Sequence, residues 1–503
     1  MSTGAWAFLV AVVTMAGMAG LGIWYARGRI VTVEDFISAR RSTSGLTAMA
    51  TAVASVMGAW ILFAPAEAAT WAGLVGIIGY GVGQAAPIVA FAVVGPRMRR
   101  LMPEGHSLTE FVWFRYGRAT YAVVLVITLL YMFTFLSAEM GAIARAVRLV
   151  TDAPLLLTLA LVGSATLAYT VYGGLRASIF TDNLQFLVMV PLLVLLLAVA
   201  VSRLGGWSDA FDPVRETAPA LLSLSHRPGI EFGITLIIAI LAANLFHQGF
   251  WQRVYAARTD RDLRLGFFTA GLIVIPMVIA GGLFGLWAVG RGLISDENPA
   301  SIALFTLALE VLPGWALVAL VALALALVMS SMDTLLNGMA SVFTTDLPRV
   351  RPGLAGPALL RSSRIITALL IVPAMAVGYA FDSVLYLFLI ADLVCAGAMV
   401  PVFLGVYVRR FGGTGAAVSS ITGIAAGALF FPTKSLAGWW TFDPLTDIWH
   451  ILASGNLLGS FLVAVVVSSA VAAGFVVAER RRAGAGYDFA ELARQVHGLD
   501  EAR

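Results

Sequence analysis

The sequence predicts an all-α integral membrane protein with about thirteen transmembrane helices. Three observations point there. Of 503 residues, 60% are apolar and only 12% are charged, against roughly 45–50% and about 25% in soluble domains. The mean hydropathy is +0.91. The apolar residues also fall in runs near the ~20 residues that a helix needs to cross a hydrocarbon core about 30 Å thick. So little charge cannot cover a water-facing surface of this size, which excludes a soluble enzyme, a nucleic-acid binder and a disordered scaffold. Membrane lipids are the obligatory surroundings, and no obligate protein partner is evident. The one cysteine, Cys395, excludes an internal disulfide and a cysteine metal cluster. Every basic residue but Lys434 is an arginine, which reads as genome composition.

The predicted segments are 5–26, 45–71, 74–95, 120–144, 155–172, 178–202, 231–250, 265–289, 314–342, 365–381, 383–407, 414–432 and 457–478. Gly378 and Asp382 argue for a turn between the tenth and eleventh. Basic residues collect on the cytoplasmic side. With the N-terminus outside and the C-terminus inside, 25 of the 32 lie inside. Arg145, Arg148, Arg203, Arg215, Arg227, Arg291 and Lys434 lie outside. Residues 1–4 carry no Lys or Arg, so the first segment lacks the basic start of a cleavable signal peptide. The longest outer loops are about 203–230, 290–313 and 433–456, with a short surface helix expected at 301–312.

The topology alone contains two five-segment units of opposite orientation. The organisation is residues 1–44 (first segment and loop), 45–203 (first unit), 204–230 (outer loop), 231–408 (second unit), 409–478 (last two segments) and 479–503 (a tail too short to fold alone). Each unit opens on a segment that reads as interrupted. The second segment has Gly58 near its middle and Pro65 beyond, so a break near Ala54–Gly58 frees backbone carbonyls. The seventh carries Asn244, His247, Gln248 and Gly249 in its second half. Transporters place solute and coupling ions at such paired breaks. The plainer reading is that glycine and proline merely aid helix packing.

The ninth segment ends ALVMSSMDTLLNGMASVFTTD (326–346). Ser330, Asp333 and Thr334 are three and four residues apart and share a helix face. A hard cation takes oxygen ligands, and hydroxyls here with carbonyls freed in the second segment make a Na+ site. Serine also bonds its own helix backbone, but that leaves Asp333 unexplained. A charge at a helix centre costs about 2.5–3.5 kcal/mol on insertion scales, so it is functional by default.

These residues resemble the sodium:solute symporter family, whose ninth-segment pattern MS[ST]-x-D-[ST] appears here as MSSMDT, followed by TTD. YGGLRASIFTDNLQ (172–185), WQRVYAARTDRDLRLG (251–266) and LYLFLIADLVCAGAMVP (385–401) are further matches, in order, across about residues 36–408. PEGHSLTEFVWFRYG (103–117) is similar to the family's urea and polyamine branch, with the His106–Glu110 pair as a loop marker. The resemblance implies a LeuT-like 5+5 inverted-repeat core. It also implies Na+ held by the carbonyls of Ala54, Met57 and Leu327 and the hydroxyls of Ser330 and Ser331. A second cation site falls on Asp182, Ser330, Asp333 and Thr334, open between Na+, H+ and a hydrogen-bonded pair. Proline symporters carry Asp where this chain has Val56, which counts against a proline role.

Candidate cargo contacts are Trp60, Glu67, Gln84, Glu139, Asn244, Gln248 and Trp251, the polar and aromatic groups in apolar runs. Glu139 can instead pair with Arg145 or Arg148, and His247 reads as a packing residue. Asp392 has no evident partner in the sequence. The function that follows is Na+-coupled symport of a small polar solute, with an H+-coupled urea or amine symporter as the alternative. No HExxH or GxSxG supports an enzyme, and no kinase or coiled linker after residue 482 supports a sensory module.

Overall fold

The computed structural model describes residues 2–350, 356–380, 383–432, 456–481 and 486–496. The expected loop 433–456, Lys434 and Asp382 lie wholly or mostly outside these residues. Among the described residues, ten helices are long and apolar enough to cross a membrane.

The chain opens with α1 (Thr3–Ala26) and a short α2 (Val33–Ile37), whose start is fixed by reciprocal bonds between Thr32 and Asp35. α3 (Gly45–Val56) follows, then a 3₁₀ turn (Ala59–Leu62), α4 (Ala64–Leu101), α5 (Leu108–Tyr116), α6 (Arg118–Thr151) and α7 (Leu155–Arg203). After α8 (Trp207–Thr217) come α9 (Arg227–Leu245), α10 (Gln248–Ala256), α11 (Asp260–Gly290) and α12 (Ala303–Val311). The rest is α13 (Gly314–Val350), α14 (Gly356–Ala380), α15 (Val384–Leu404), α16 (Gly413–Ala428), α17 (Leu457–Arg481) and α18 (Phe489–Gln495).

The predicted segment pairs 45–71/74–95 and 155–172/178–202 meet without loops. Continuous helical bonding runs through α4 and α7, but each turns at one left-handed glycine, Gly73 (φ 64°) and Gly174 (φ 53°). A Cβ at Gly73 would strike the Leu221 carbonyl, and one at Gly174 the Phe36 carbonyl, so the turns need glycine for conformation and for space. Just past the Gly174 turn, Arg176 binds Asp35 of α2 at 2.7 Å. α14 and α15 are separate helices, and the Ser383 hydroxyl caps α15. α16 has 16 residues, short of the ~20 a full span takes. The short helix expected at 301–312 is α12, although it buries Leu304, Phe305 and Leu307.

The layering follows apolarity. α1 and α17 keep most of their surface exposed, whereas α13 is buried along most of its length. α13 packs on α1, α6, α7 and α14, and reaches the broken pairs α3 and α10. Those pairs are tied together at one end. Thr43 N–H donates to the Ala256 carbonyl at 2.9 Å, and Arg258 N–H donates to the Thr43 carbonyl at 2.9 Å.

Candidate functional site

The second segment breaks where its sequence frees it. α3 ends at Val56, Met57 still donates to the Val53 carbonyl at 2.9 Å, and Gly58 is extended. The N–H groups beyond the break are met by one side chain. Glu139 of α6 accepts from Ala59 N at 2.7 Å and Trp60 N at 3.3 Å. It also accepts from Ser331 Oγ at 2.9 Å. Gly58 leaves room for it, since a Cβ there would sit on the carboxylate.

On the other side of the break, the Ser330 hydroxyl lies 2.8 Å from the Ala54 carbonyl and 3.0 Å from the Leu327 carbonyl. Three oxygens of two helices converge there, all buried. Ala54, Leu327 and Ser330 of the expected Na+ set are brought together, with Met57 at the break beside them. Ser331 is not part of this cluster. Neighbouring residues on an α-helix point roughly 100° apart, and its hydroxyl faces Glu139 instead.

Asp182 and Asp333 are linked through Ser178 and Thr334, and the cation paired with Asp182 belongs to the chain. Arg253, on the second half of the broken seventh segment, is 1% exposed. Its Nη2 lies 2.7 Å from Asp182 Oδ2, 2.8 Å from Thr334 Oγ1 and 3.2 Å from Ser178 Oγ. Its Nε donates to Thr51 Oγ1 at 2.9 Å and its Nη1 to the Gly249 carbonyl at 3.0 Å. The Thr51 hydroxyl donates to Asp182 as well. Asp333 accepts from Ser178 Oγ at 2.7 Å, Tyr169 OH at 2.8 Å and Thr181 Oγ1 at 3.3 Å. Asp182's expected partners on the ninth segment are thus joined by an arginine that the sequence places at the edge of a loop. Ser330 stays with Ala54 and Leu327, outside this cluster.

Above the break lies a small cavity of about 20 Å³, room for roughly one water in this conformation. Trp60, Tyr80, Tyr131, Phe135 and Phe388 wall it, and Gln84, Asn244 and Asp392 face it. Trp60 stacks on Tyr80 with centroids 5.6 Å apart.

A paired break, an oxygen cluster across it and an aromatic cavity above it are the working parts of a symporter, and the comparisons agree. The model of the Sodium:solute symporter family matches residues 36–423. The chain belongs to the sodium:solute symporter family. It is therefore a secondary active transporter of a small solute, a multi-pass membrane protein and not an enzyme. It is 30% identical to a spermidine transporter of Candida albicans, across 85% of this chain and 80% of that one. It is 25% identical to a urea active transporter of Saccharomyces cerevisiae, across 87% of this chain and 64% of the relative. A sodium/glucose cotransporter of Vibrio parahaemolyticus is 24% identical, with 83% of each chain covered. In fold it resembles a Na+-coupled sialic acid symporter, with a TM-score of 0.74 and 18% identity over 96% of this chain and 99% of the other.

Within the transporter, the expected cargo contacts divide. Trp60, Gln84 and Asn244 line the cavity, and four others do not. Glu139 is held at the break, and its bonds are to α13 and the 3₁₀ turn, not to Arg145 or Arg148. Glu67, in the first turn of α4, accepts from Ser383 Oγ at 3.1 Å. Gln248 donates to the His106 carbonyl at 2.7 Å and to Ser341 Oγ at 3.0 Å, and accepts from Leu108 N at 3.2 Å. Trp251 donates to the Leu245 carbonyl at 2.8 Å and stacks on Phe403 in the core. Each lost its cavity role to a backbone group or helix end needing a partner. Of the residues that were not candidates, Asp392 joins the cavity and Arg253 joins the ion cluster. His247 packs, as expected, against Phe135 and Phe250 and accepts from Gly249 N at 3.1 Å.

The loop marker His106–Glu110 is a latch at the arginine-rich end. His106 Nε2 lies 2.6 Å from Glu34 Oε1, and its Nδ1 lies 3.1 Å from Glu110 Oε2. Arg40 donates to the Pro103 and Glu104 carbonyls. Burial alone would lower the His106 pKa, but Glu110 and Glu34 outweigh it and hold it up at about 9. Burial would raise Glu34, but the bond to His106 and the charges of His106 and Arg40 hold it down at about 2. Both are charged near neutrality and pin the loop before α5, and with it Gln248.

Proposed function

We propose that this transporter couples the movement of Na+ to uptake of a small polar solute by alternating access. Na+ binds to the carbonyls of Ala54, Met57 and Leu327 and the hydroxyl of Ser330, and the solute binds in the cavity above. The observation that carries this reading is the convergence of Ser330 Oγ with the carbonyls of Ala54 and Leu327 across a helix break. The donor set suits a hard monovalent cation: all oxygen, buried and without a fixed charge. The names of the relatives frame the cargo between a polyamine, urea and a sugar.

The two repeats are 45–203 and 231–408, rocking about the breaks. The protein sits in the plasma membrane with its N-terminus outside and its C-terminus in the cytoplasm, as the sorting of arginines favours. The test is uptake into proteoliposomes at varied Na+. Ser330→Ala should raise the Na+ concentration for half-maximal uptake about tenfold or more, a loss near 1.4 kcal/mol. Ser331→Ala should shift it less. Wild-type Na+ dependence in Ser330→Ala would remove the site.

One count favours a second coupling ion. Asp182 and Asp333 bring two negative charges, and Arg253 supplies one positive charge. Buried charge without compensation is costly, so one further positive charge, a proton or a second Na+, suits Asp333. Uptake that follows a pH gradient in the absence of Na+ would select the proton.

A further inference from the structure

The transport reading leaves one buried ion without a role. Asp392 sits in the middle of α15, 5% exposed, facing the cavity. Among the described residues no hydrogen bond or ion pair reaches its carboxylate, and it is the one charged group on the cavity wall. A carboxylate in an apolar helix is retained at a cost of several kcal/mol unless something compensates it. What compensates Asp182 is a built-in guanidinium, and α15 offers Asp392 nothing of the kind.

The neighbouring polar groups repeat the demand. Asn244 is 3% exposed, and its amide is oriented by donation to the Ile240 carbonyl at 3.0 Å, which leaves Oδ1 as an acceptor without a donor. Gln84 is 7% exposed, and its Oε1 also lacks a donor. Carboxylate, Oδ1 and Oε1 all ask for N–H or O–H donors, and one of them asks for positive charge. The remaining wall is aromatic. Trp60 and Tyr80 stack with an angle of 16° between their planes, and Phe388 and Phe135 meet edge to face at 4.8 Å. Aromatic walls around a carboxylate attract an organic cation through ring faces and charge together. The one indole N–H here, Trp60 Nε1, is already used on the Val56 carbonyl at 3.0 Å.

Resting on the proposed site for the solute, we infer that the cavity takes an organic ammonium ion, anchored by Asp392, with Asn244 and Gln84 accepting its N–H groups. The chemistry discriminates between cargoes. A protonated amine offers donors and a charge. A neutral amide such as urea satisfies acceptors but leaves the Asp392 charge uncompensated. A sugar ring offers O–H donors but no charge, and a slender alkylamine needs less widening of so small a cavity than a ring does.

The experiment uses the full chain in proteoliposomes, with labelled putrescine as probe and unlabelled urea, choline and glucose as competitors. Putrescine should be taken up, and urea and glucose should not compete. Choline, a cation without N–H donors, should compete weakly if charge and rings alone hold the guest, and less if the amide acceptors contribute. Asp392→Asn should weaken putrescine binding about tenfold or more, and Asp392→Glu should restore part of it. Stabilisation of both variants by Na+ in a melting assay shows that they fold. Urea or glucose displacing putrescine from the wild type, or wild-type putrescine affinity in Asp392→Asn, overturns the inference. Asp392-dependent putrescine uptake that ignores Na+ would leave the inference standing and remove the Na+ coupling. Na+-driven uptake of a neutral solute that Asp392→Asn leaves unchanged would do the reverse.

Discussion

Replacing Arg253 by methionine keeps the apolar stem and removes the fork. Arg253 has five polar partners: Asp182, Thr334, Ser178, Thr51 and the Gly249 carbonyl. Both charges of its pair are essentially inaccessible, at 1% and 0% exposure, so solvent screening gives little relief. Removing one partner of a buried pair typically costs about 3–5 kcal/mol. Losing one ordinary hydrogen bond costs about 1 kcal/mol, so the charge dominates the expected loss. Lysine is no substitute, since one ammonium cannot cover the three directions taken by Nε, Nη1 and Nη2. The informative comparison is Arg253→Met alone against Arg253→Met with Asp182→Asn. If the cost is the stranded carboxylate, the double variant should recover most of the stability, because neutral replacements of buried pairs are often close to neutral. Unfolding in detergent micelles, followed by Trp fluorescence, measures both. Na+ should also stabilise Arg253→Met more than the wild type, because an external cation can take the emptied place. A single variant within about 1 kcal/mol of wild type, or a double variant no better than the single, would refute the account.

Two further outcomes follow from other parts of the molecule. The Glu34–His106–Glu110 latch has a predictable pH window. His106, raised from 6.5 to about 9, gives its contribution in full below about pH 6.5 and loses it as pH rises through 9. Glu34, lowered from 4.5 to about 2, contributes in full above pH 4.5 and loses this as pH falls towards 2. Protease cleavage near Pro103 should therefore be slowest at about pH 5–6.5 and faster at pH 9, and His106→Ala should flatten the alkaline limb; an unchanged limb would refute the ion-pair reading. For topology, reporters fused after residue 26 and at residue 503 should both read cytoplasmic, and a periplasmic signal at either would refute the orientation.

The parts legible in the sequence were those set by composition and backbone. Runs of apolar residues gave the helices, and Gly58 and the cluster 244–249 marked breaks that the structure places at 57–58 and 246–247. Ser330 was legible because helical spacing and a nearby break suffice to aim it. The bond of Ser331 to Glu139 was not legible, because Glu139 comes from a helix 192 residues away in the chain. Arg253 was hidden by bookkeeping: an arginine just past an apolar run looks like a loop residue until the break turns the next helix inward. Glu67, Glu139, Gln248 and Trp251 look like cargo contacts in one dimension, and only three-dimensional packing shows which backbone and hydroxyl groups they bond. Asp392 stood out as an ion without a partner, and the missing knowledge was which rings would surround it.

Glu139 has a mechanical consequence. One carboxylate grips Trp60 N–H, whose ring walls the cavity, and the hydroxyl of Ser331, one residue along α13 from Ser330. The proposed cation site and the proposed solute cavity are thus joined by a short linkage through Glu139. On the proposed sites, a displacement of α13 by an ion would reach the Trp60 backbone through two hydrogen bonds. Whatever free energy the ion gains from a well-placed tryptophan, the solute gains from a well-placed ion, because linkage between two ligands is reciprocal. Loosening that joint should uncouple the two passengers while leaving each seat intact.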